Sequence, residues 1–399
     1  MRNAARRDWS ARRAVPRGLL HGLRLNHFPF GLLLLALGLF AVGLTFIHSM
    51  ASVDELFQRD EVSFDSHVKK VVVALPMLVL GALVRPRFLR KHAWTLYAVA
   101  IVMLLLVPLV GEERNNARRW IPTPIGFDLQ PSELAKLALI VVLARVLHRN
   151  RLARLRDWVK PAALALLPMV LVAAQPDLGT AMTIVPVTLG MLYLAGGSGR
   201  LISVTVGIVV LVGLSAWKFE WVQDYQLRRI ETWAASFDSG ALVEGRNGPA
   251  FHVYHARVSI GNGGLEGTGL GEGVSSRAGH LPERESDSIF CVVAEELGFA
   301  RTTLFLACYA ALIAGLLRTA AGIRERFTRF VVAGVGLYFA AHFFVNVGVN
   351  LGLVPMTGLT LPLLSTGGSS LLTTFLALGL ALGLAAQEEP SLDEDAFRA

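Results

Sequence analysis

The chain has 399 residues, 53% of them hydrophobic and only 17% charged, with a net charge of +8 and a mean hydropathy of +0.52. The apolar residues come in long runs instead of periodic stripes, which excludes an ordinary water-soluble globular fold. The arginines are spread over separate segments, which argues against a nucleic-acid surface, and the two cysteines, Cys291 and Cys308, have neither disulfide-framework nor zinc-ligand spacing and read as packing residues.

In chain order, residues 1–27 carry arginines at positions 2, 6, 7, 12, 13, 17 and 24 against a single acid, Asp8. The apolar run Phe28–Met50 that follows is long enough to cross a hydrocarbon core of about 30 Å. IHSMASVDE after it is a poor cleavage site, so the arm reads as the cytoplasmic side of a retained first helix. Further spans are expected near 69–84, 93–110, 131–147, 159–175, 178–196, 201–218, 288–317, 328–353 and 368–386, about ten in all. Arg85, Arg87, Arg90 and Lys91, then Arg149, Arg151, Arg154 and Arg156, then Arg318, Arg324, Arg326 and Arg329 all fall on the side of the N-terminus in a ten-span chain. The opposite loops, 54–65, 112–128 and 219–287, are acidic or mixed. The expectation is an all-α integral membrane protein with cytoplasmic N and C termini and one large extracytoplasmic loop (219–287) before helix eight. The membrane domain covers 28–387, and EEPSLDEDAFRA (388–399) forms a cytoplasmic tail. The net charge then reports orientation, with attraction to anionic lipid as a by-product.

Polar residues interrupt these spans in four places. In RRWIPTPIGFDLQPSELAKLAL, Pro131 after Gln130 marks a helix start and places Lys136 one turn inside the helix. A lysine at that depth needs an anion, either Glu133, Glu295 or Glu296 or the phosphate of a ligand. Arg118 and Arg119, with Arg228 and Arg229, lie on the non-cytoplasmic side against the charge bias, which points either to an anionic ligand there or to generic headgroup contact. QPDLGT (175–180) is a short hinge in which Asp177 is expected to cap the next helix. The long loop begins with aromatic-rich FEWVQDYQLRRIETW and ends with YHARVSIGNGGLEGTGLGEG, whose glycines let backbone approach a substrate closely.

HLPERESDSIFCVVAEELGF (280–299) carries five carboxylates and one arginine at the start of a strongly apolar helix. Charges next to lipid are costly, so such a cluster faces a protein interior or a water-filled cavity and marks a functional site. Asp287, where loop meets helix, reads either as a helix cap together with Ser286 or as a general base for a sugar or lipid hydroxyl. Glu295 and Glu296, two turns deeper, call for a cationic partner or shared protons. In FVNVGVNLGLVPMTGLTLPLLSTGGSSLL (344–372), Pro355, Gly358, Pro362 and Gly367–Gly368 predict non-helical backbone at the membrane edge. Asn346 and Asn350 share a helix face and are expected to hydrogen-bond between helices.

Together ARRW with QPSELAK, QPDLGT, DYQLRR, IGNGG, LPERESDSIF with AEELGF, and NVGVNLGLVP with GLTLPLLSTGG resemble the SEDS (shape, elongation, division and sporulation; RodA- and FtsW-like) family over roughly residues 29–386. The resemblance implies a peptidoglycan glycosyltransferase of the bacterial cytoplasmic membrane, acting in elongation or division. Such an enzyme polymerises lipid II at the outer face. Asp287 falls on the family's essential aspartate and would be the catalytic base, deprotonating the acceptor's GlcNAc 4-hydroxyl. Arg119, Lys136, Arg229, Glu283 and Glu296 make up the expected substrate-binding set. A divalent cation (Mg or Mn) and a class B penicillin-binding protein as partner are implied by the family alone. The family's HTD before the eighth helix is Glu285-Ser286-Asp287 here, its glutamine and serine before the glycine run are His255 and Ala256, and His342 stands where glutamine is common. A lipid-precursor flippase and a non-catalytic scaffold of a cell-wall complex are the competing readings.

Overall fold

The computed structural model describes residues 28–59, 62–114, 117–123, 128–150, 152, 154–207 and 224–387. The expected N-terminal arm, the acidic tail and residues 208–218 of the expected seventh span lie outside them. The helices are α1 (Phe30–Leu56), α2 (Phe64–Leu83), α3 (Pro86–Val110), α4 (Pro131–Leu147), α5 (Arg156–Ala174), α6 (Leu178–Leu194), α7 (Asp224–Ala235), α8 (Ser239–Glu244), α9 (Phe251–Asn262), α10 (Val274–Ala278), α11 (Ile289–Gly322), α12 (Arg326–Asn350) and α13 (Gly368–Ala386). Among the described residues seven of these, α1, α2, α3, α5, α11, α12 and α13, are long and apolar enough to cross a bilayer. The chain is therefore a multi-pass inner-membrane protein. Among the described residues the one departure from an all-α fold is a small antiparallel sheet of β1 (Glu112–Arg114), β2 (Ala117–Pro122) and β3 (Asp128–Leu129), in that order, between α3 and α4.

Sequence chemistry sets several of the helix ends. Pro131 and Pro86 occupy the first turns of α4 and α3, where a missing N–H costs nothing. Ser63 caps α2 through the amide of Ser66, so that helix begins at Phe64 and not at 69 as expected. Burial separates core from periphery: in its most apolar stretch α13 is 83% buried, whereas α2 is 17% buried and turns most of its surface to lipid. α2 nevertheless packs tightly on α13, because Gly379 and Gly383, one turn apart, let α13 reach the backbone of Leu78 and Ala82.

α11 is broken at Gly298, whose φ of 74° and ψ of 177° belong to glycine alone. The break strips the carbonyls of Glu295 and Glu296 and the amides of Phe299 and Ala300 of their helical partners. The glycine-rich segment after α9 replaces them with its own backbone: Thr268 and Gly269 donate to Glu295 and Glu296 at 3.0 and 3.1 Å, and Phe299 and Ala300 donate to Gly264 and Leu265 at 2.8 and 3.2 Å. A Cβ on Gly263, Gly267 or Gly298 would strike that backbone. The IGNGG and AEELG motifs are thus two halves of one joint, in which exposed helical backbone is satisfied by protein and not left to lipid.

The contacts sort the helix ends into two groups. Arg90 pairs with Glu325 at 3.3 Å, and Gln387 donates to Ala82 and Val84 at 2.9 and 3.1 Å, at the end rich in basic residues. The other end gathers the C-termini of α1, α3, α5 and α12 with the N-termini of α4, α6, α11 and α13, and it holds the QPSELAK, QPDLGT, LPERESD and NVGVNLGLVP motifs.

Candidate functional site

The segment leading into α11 is held by its backbone. Glu283 takes a left-handed φ of 47° and its carbonyl receives the amides of Ser286 and Ser288 at 3.0 and 3.1 Å. Thr366 donates its amide to Glu285 at 2.9 Å, and the Ser365 hydroxyl donates to the carbonyl of Ser286 at 2.5 Å. Asn346 and Asn350, on the shared face expected of them, both donate to the carbonyl of Asp287 at 2.9 Å. Arg284 turns inward, pairs with Asp54 and donates to Ser276 at 2.7 Å. α1, α12 and the broken segment before α13 thereby fix one short turn.

Asp287 sits on this platform, 8% exposed. Of its two readings the helix cap does not apply: that position falls on Ser288, whose side chain bonds no free amide of α11. The Ser288 hydroxyl lies 3.5 Å from Asp287 Oδ1 and 2.9 Å from Nε2 of His252 on α9. Asp287 Oδ2 faces Gly358, where even an added Cβ would stand 3.8 Å away. Burial, then the like charges of Glu283 and Glu285 against the opposing Arg229, pushes the Asp287 carboxyl up to about 7. Such a group is poised to take a proton near neutral pH.

Arg229, on α7, is exposed and donates to the carbonyl of Met356 at 3.3 Å, on the same broken segment as Gly358. Arg119 lies on β2 and donates to the carbonyl of Gln175 at 3.2 Å and to that of Pro176. It fastens the sheet to the QPDLGT hinge. In that hinge Asp177 caps α6 through Thr180 at 3.2 Å, as expected, and accepts from Gln130 at 3.0 Å. Gly179 lies against the backbone of Thr357, so the hinge also abuts the Gly358 segment.

Lys136 is 3% exposed and has two buried partners, Glu133 Oε1 and His342 Nε2, both at 2.7 Å. Tyr338 donates to the second Glu133 oxygen at 3.3 Å, and the carbonyl of Thr360 lies 3.2 Å from Nδ1 of His342. Of the three acids weighed as its partner, Glu133 is the one. Glu295 and Glu296 lie elsewhere: Glu295 accepts from Ser259, Asn262 and both the amide and hydroxyl of Ser275, at 2.9 to 3.1 Å. Glu296 accepts from the amide of Gly271 at 2.9 Å. Neutral donors, not a cation, satisfy Glu295, and the pair locks the loop between α9 and α10.

Asp287, Glu283, Arg229 and the Gly358 segment therefore come together, with the QPDLGT hinge and Arg119 next to them, whereas Lys136 and Glu296 occupy separate buried networks. The sequence reading missed His252. Its signal was there: His252, Ala256 and Ser259 share one helical face, and Ala256 and Ser259 on that face are buried. Among the described residues no cluster of three or more His, Cys, Asp or Glu could hold a metal ion.

A family model described as cell cycle protein, covering FtsW, RodA and SpoVE, matches residues 30–389. The peptidoglycan glycosyltransferase MrdB of Escherichia coli (strain K12) is 35% identical over 318 residues, 79% of this chain and 84% of that protein. The probable peptidoglycan glycosyltransferase FtsW of Aeromonas salmonicida is 35% identical over 392 residues, covering 93% and 94%. Among solved structures, a chain of a peptidoglycan synthase complex coordinating polymerization and crosslinking superposes with a TM-score of 0.76 at 28% identity, over 91% of this chain and 99% of that one. The rod shape determining protein RodA of Thermus thermophilus superposes with a TM-score of 0.67 at 27% identity, over 91% and 98%.

Proposed function

The chain belongs to the SEDS (FtsW, RodA and SpoVE) family of peptidoglycan glycosyltransferases, membrane enzymes of cell-wall synthesis, and we propose that it polymerises lipid II at the outer face of the cytoplasmic membrane with Asp287 as general base. The observation that carries this is the nearly buried Asp287 carboxyl, on a backbone fixed by Asn346 and Asn350 and open on its Oδ2 side toward the glycine of a broken membrane segment. Oδ2 takes the proton of the acceptor's sugar hydroxyl. The freed oxygen bonds the anomeric carbon of the growing chain, and the bond from that carbon to the lipid pyrophosphate breaks, the pyrophosphate leaving with the electron pair.

Arg229 is exposed beside the base and offsets the charge of the leaving pyrophosphate, with Arg119 next to it on the hinge. Lys136 contributes from below by holding α4 to α12. Glu283 raises the proton affinity of Asp287, and Glu296 shapes the 269–271 turn. Among the described residues no side chains make a metal cage, so in this reading a divalent cation would be held chiefly by the substrate's phosphates and would supply charge neutralisation there. We place the termini in the cytoplasm, with ten spans, because the basic loops then share the side opposite Asp287. A class B penicillin-binding protein is the expected partner, in keeping with the likeness to a polymerising and crosslinking complex.

The test is glycan polymerisation from labelled lipid II by the purified chain with its transpeptidase partner, with moenomycin present to silence classical glycosyltransferases. Polymer from wild type but not from Asp287→Ala is expected. Equal polymer from both removes Asp287 from the chemistry. No polymer from either turns the reading toward a flippase or a scaffold.

A further inference from the structure

Three side chains from two elements form a line ending at the proposed base. His252, on α9, lies with Nε2 2.9 Å from the hydroxyl of Ser288, and that hydroxyl lies 3.5 Å from Asp287 Oδ1. Ser288 is fully buried and Asp287 nearly so, whereas His252 is half-buried. The hydroxyl has one proton to give, and an ionised carboxylate only accepts. With Asp287 ionised, the Ser288 proton therefore goes to Oδ1, and His252 Nε2–H is the donor to Ser288. The opposite tautomer would draw the Ser288 proton to the imidazole and leave Oδ1 facing a bare lone pair. α9 is in turn fixed against α11 by Ser259, which shares a face with His252 and donates to Glu295 at 2.9 Å.

We propose that His252 is a positioning residue for Asp287: acting through Ser288, it aims a hydroxyl proton at Oδ1, steadies the ionised carboxylate, and leaves Oδ2, on the Gly358 side, as the oxygen that accepts the substrate's proton. This rests on the reading of Asp287 as the base. The titratable groups facing that carboxyl are Glu283 and Glu285 from its own segment, Arg229 from α7 and the Cys291 thiol from α11, with His252 from α9 behind the Ser288 hydroxyl. Asn346 and Asn350 from α12 are uncharged and engage its carbonyl. Glu283 and Glu285 oppose ionisation, so a donor fixed at Oδ1 works in the same direction as Arg229. Burial, with Arg229 and His255 nearby, lowers His252 to about 4, so it stays a neutral donor over the working range.

The experiment is the pH–rate profile of polymerisation by the full chain with its partner, from about pH 5.5 to about pH 9.5, for wild type, Ser288→Ala, His252→Ala, His252→Gln and Asp287→Asn. Ser288→Ala and His252→Ala are expected to keep the plateau at high pH and the KM for lipid II. Their acidic limb should move up by about half to one pH unit, a roughly three- to tenfold loss of rate near pH 6. His252→Gln, whose amide still donates to Ser288, should bring the limb back to the wild-type position, a rescue that a purely packing role does not give. Limbs that coincide with wild type in both Ala variants overturn the proposal, as does a Gln variant displaced as far as His252→Ala. The His252 pair decides the matter alone if Ser288→Ala does not fold. Asp287→Asn separates the two failures. If it is inactive while the other limbs stay put, the base stands and the hydrogen-bond chain falls; if it polymerises at the wild-type rate, the base reading itself falls.

Discussion

Arg284, just ahead of Asp287, pairs with Asp54 in the last turn of α1, and both side chains are 1% exposed. The second Asp54 oxygen accepts the amide of Val62 at 3.0 Å, so one carboxylate ties the α1–α2 connection to the turn that carries Asp287. Asp54→Ala should cost about 3–5 kcal/mol, because it leaves a buried guanidinium uncompensated. Asp54→Leu with Arg284→Met should recover most of that stability, since two apolar groups need no partner. Thermal unfolding in detergent checks both. The double variant should still polymerise poorly, because the turn loses its anchor to α1 even where the fold survives.

Lys136 offers a similar choice between a ligand and a structural partner, and its surroundings decide it. Its ammonium has Glu133 and His342 at 2.7 Å and lies 5.2 Å from the Tyr338 ring centroid. Lys136→Met should lower stability by about 3–5 kcal/mol through the orphaned Glu133, and Lys136→Met with Glu133→Gln should regain much of it. If Lys136 instead held the pyrophosphate, the single variant would keep its melting temperature and lose affinity for lipid II.

The parts of this architecture that were legible in the sequence are those set by local chemistry. Pro131 and the glycines at 367 and 368 put the ends of α4 and α13 where the structure has them, and the i, i+3 spacing of Glu133 and Lys136 allowed their pairing. Asp287 stood out because an acid at the mouth of an apolar helix is costly without a purpose. What escaped depended on distant backbone. AEELGF reads as uninterrupted helix, and only the arrival of residues 264–269 makes the break at Gly298 affordable. Glu295 and Glu296 were expected to need a cation or shared protons, and folded loops supplied hydroxyls and amides that no local pattern announces. His252 was passed over because its partner, Ser288, lies on another element.

Burial of Asp287 has a stability signature. The carboxyl has an ordinary value of 3.8 and is pushed up to about 7 in the folded chain. Below both values it is protonated in either state and contributes nothing. Between them the unfolded chain has released the proton and the folded chain has kept it, so stability falls as pH rises, by up to about 4 kcal/mol above pH 7. Asp287→Asn, which stays neutral, should therefore melt higher than wild type near pH 8, with the gap closing below about pH 4. A variant that is inactive yet more stable is the mark of a group held against its own preference. Equal melting at both pH values would show that the carboxyl is not so held.

The two external arginines should separate by kind of effect. Arg119 donates to the carbonyls of Gln175, the C-cap of α5, and of Pro176 after it. Arg119→Ala should therefore cost about 1–3 kcal/mol of stability by taking its donor away from the Gln175 carbonyl. Arg229 is exposed and reaches the carbonyl of Met356 at 3.3 Å. Arg229→Ala should leave the melting temperature within about 1 °C, since surface changes have small effects. It should raise the KM for lipid II about tenfold or more, the scale of one lost charge-assisted hydrogen bond to phosphate. Arg229→Lys should recover only part of this, because a point charge replaces a planar fork. If Arg119→Ala raised KM without a change in melting and Arg229→Ala did the reverse, the anion would sit over the hinge instead of beside Asp287, and the attacking hydroxyl would have to reach the base from the opposite side.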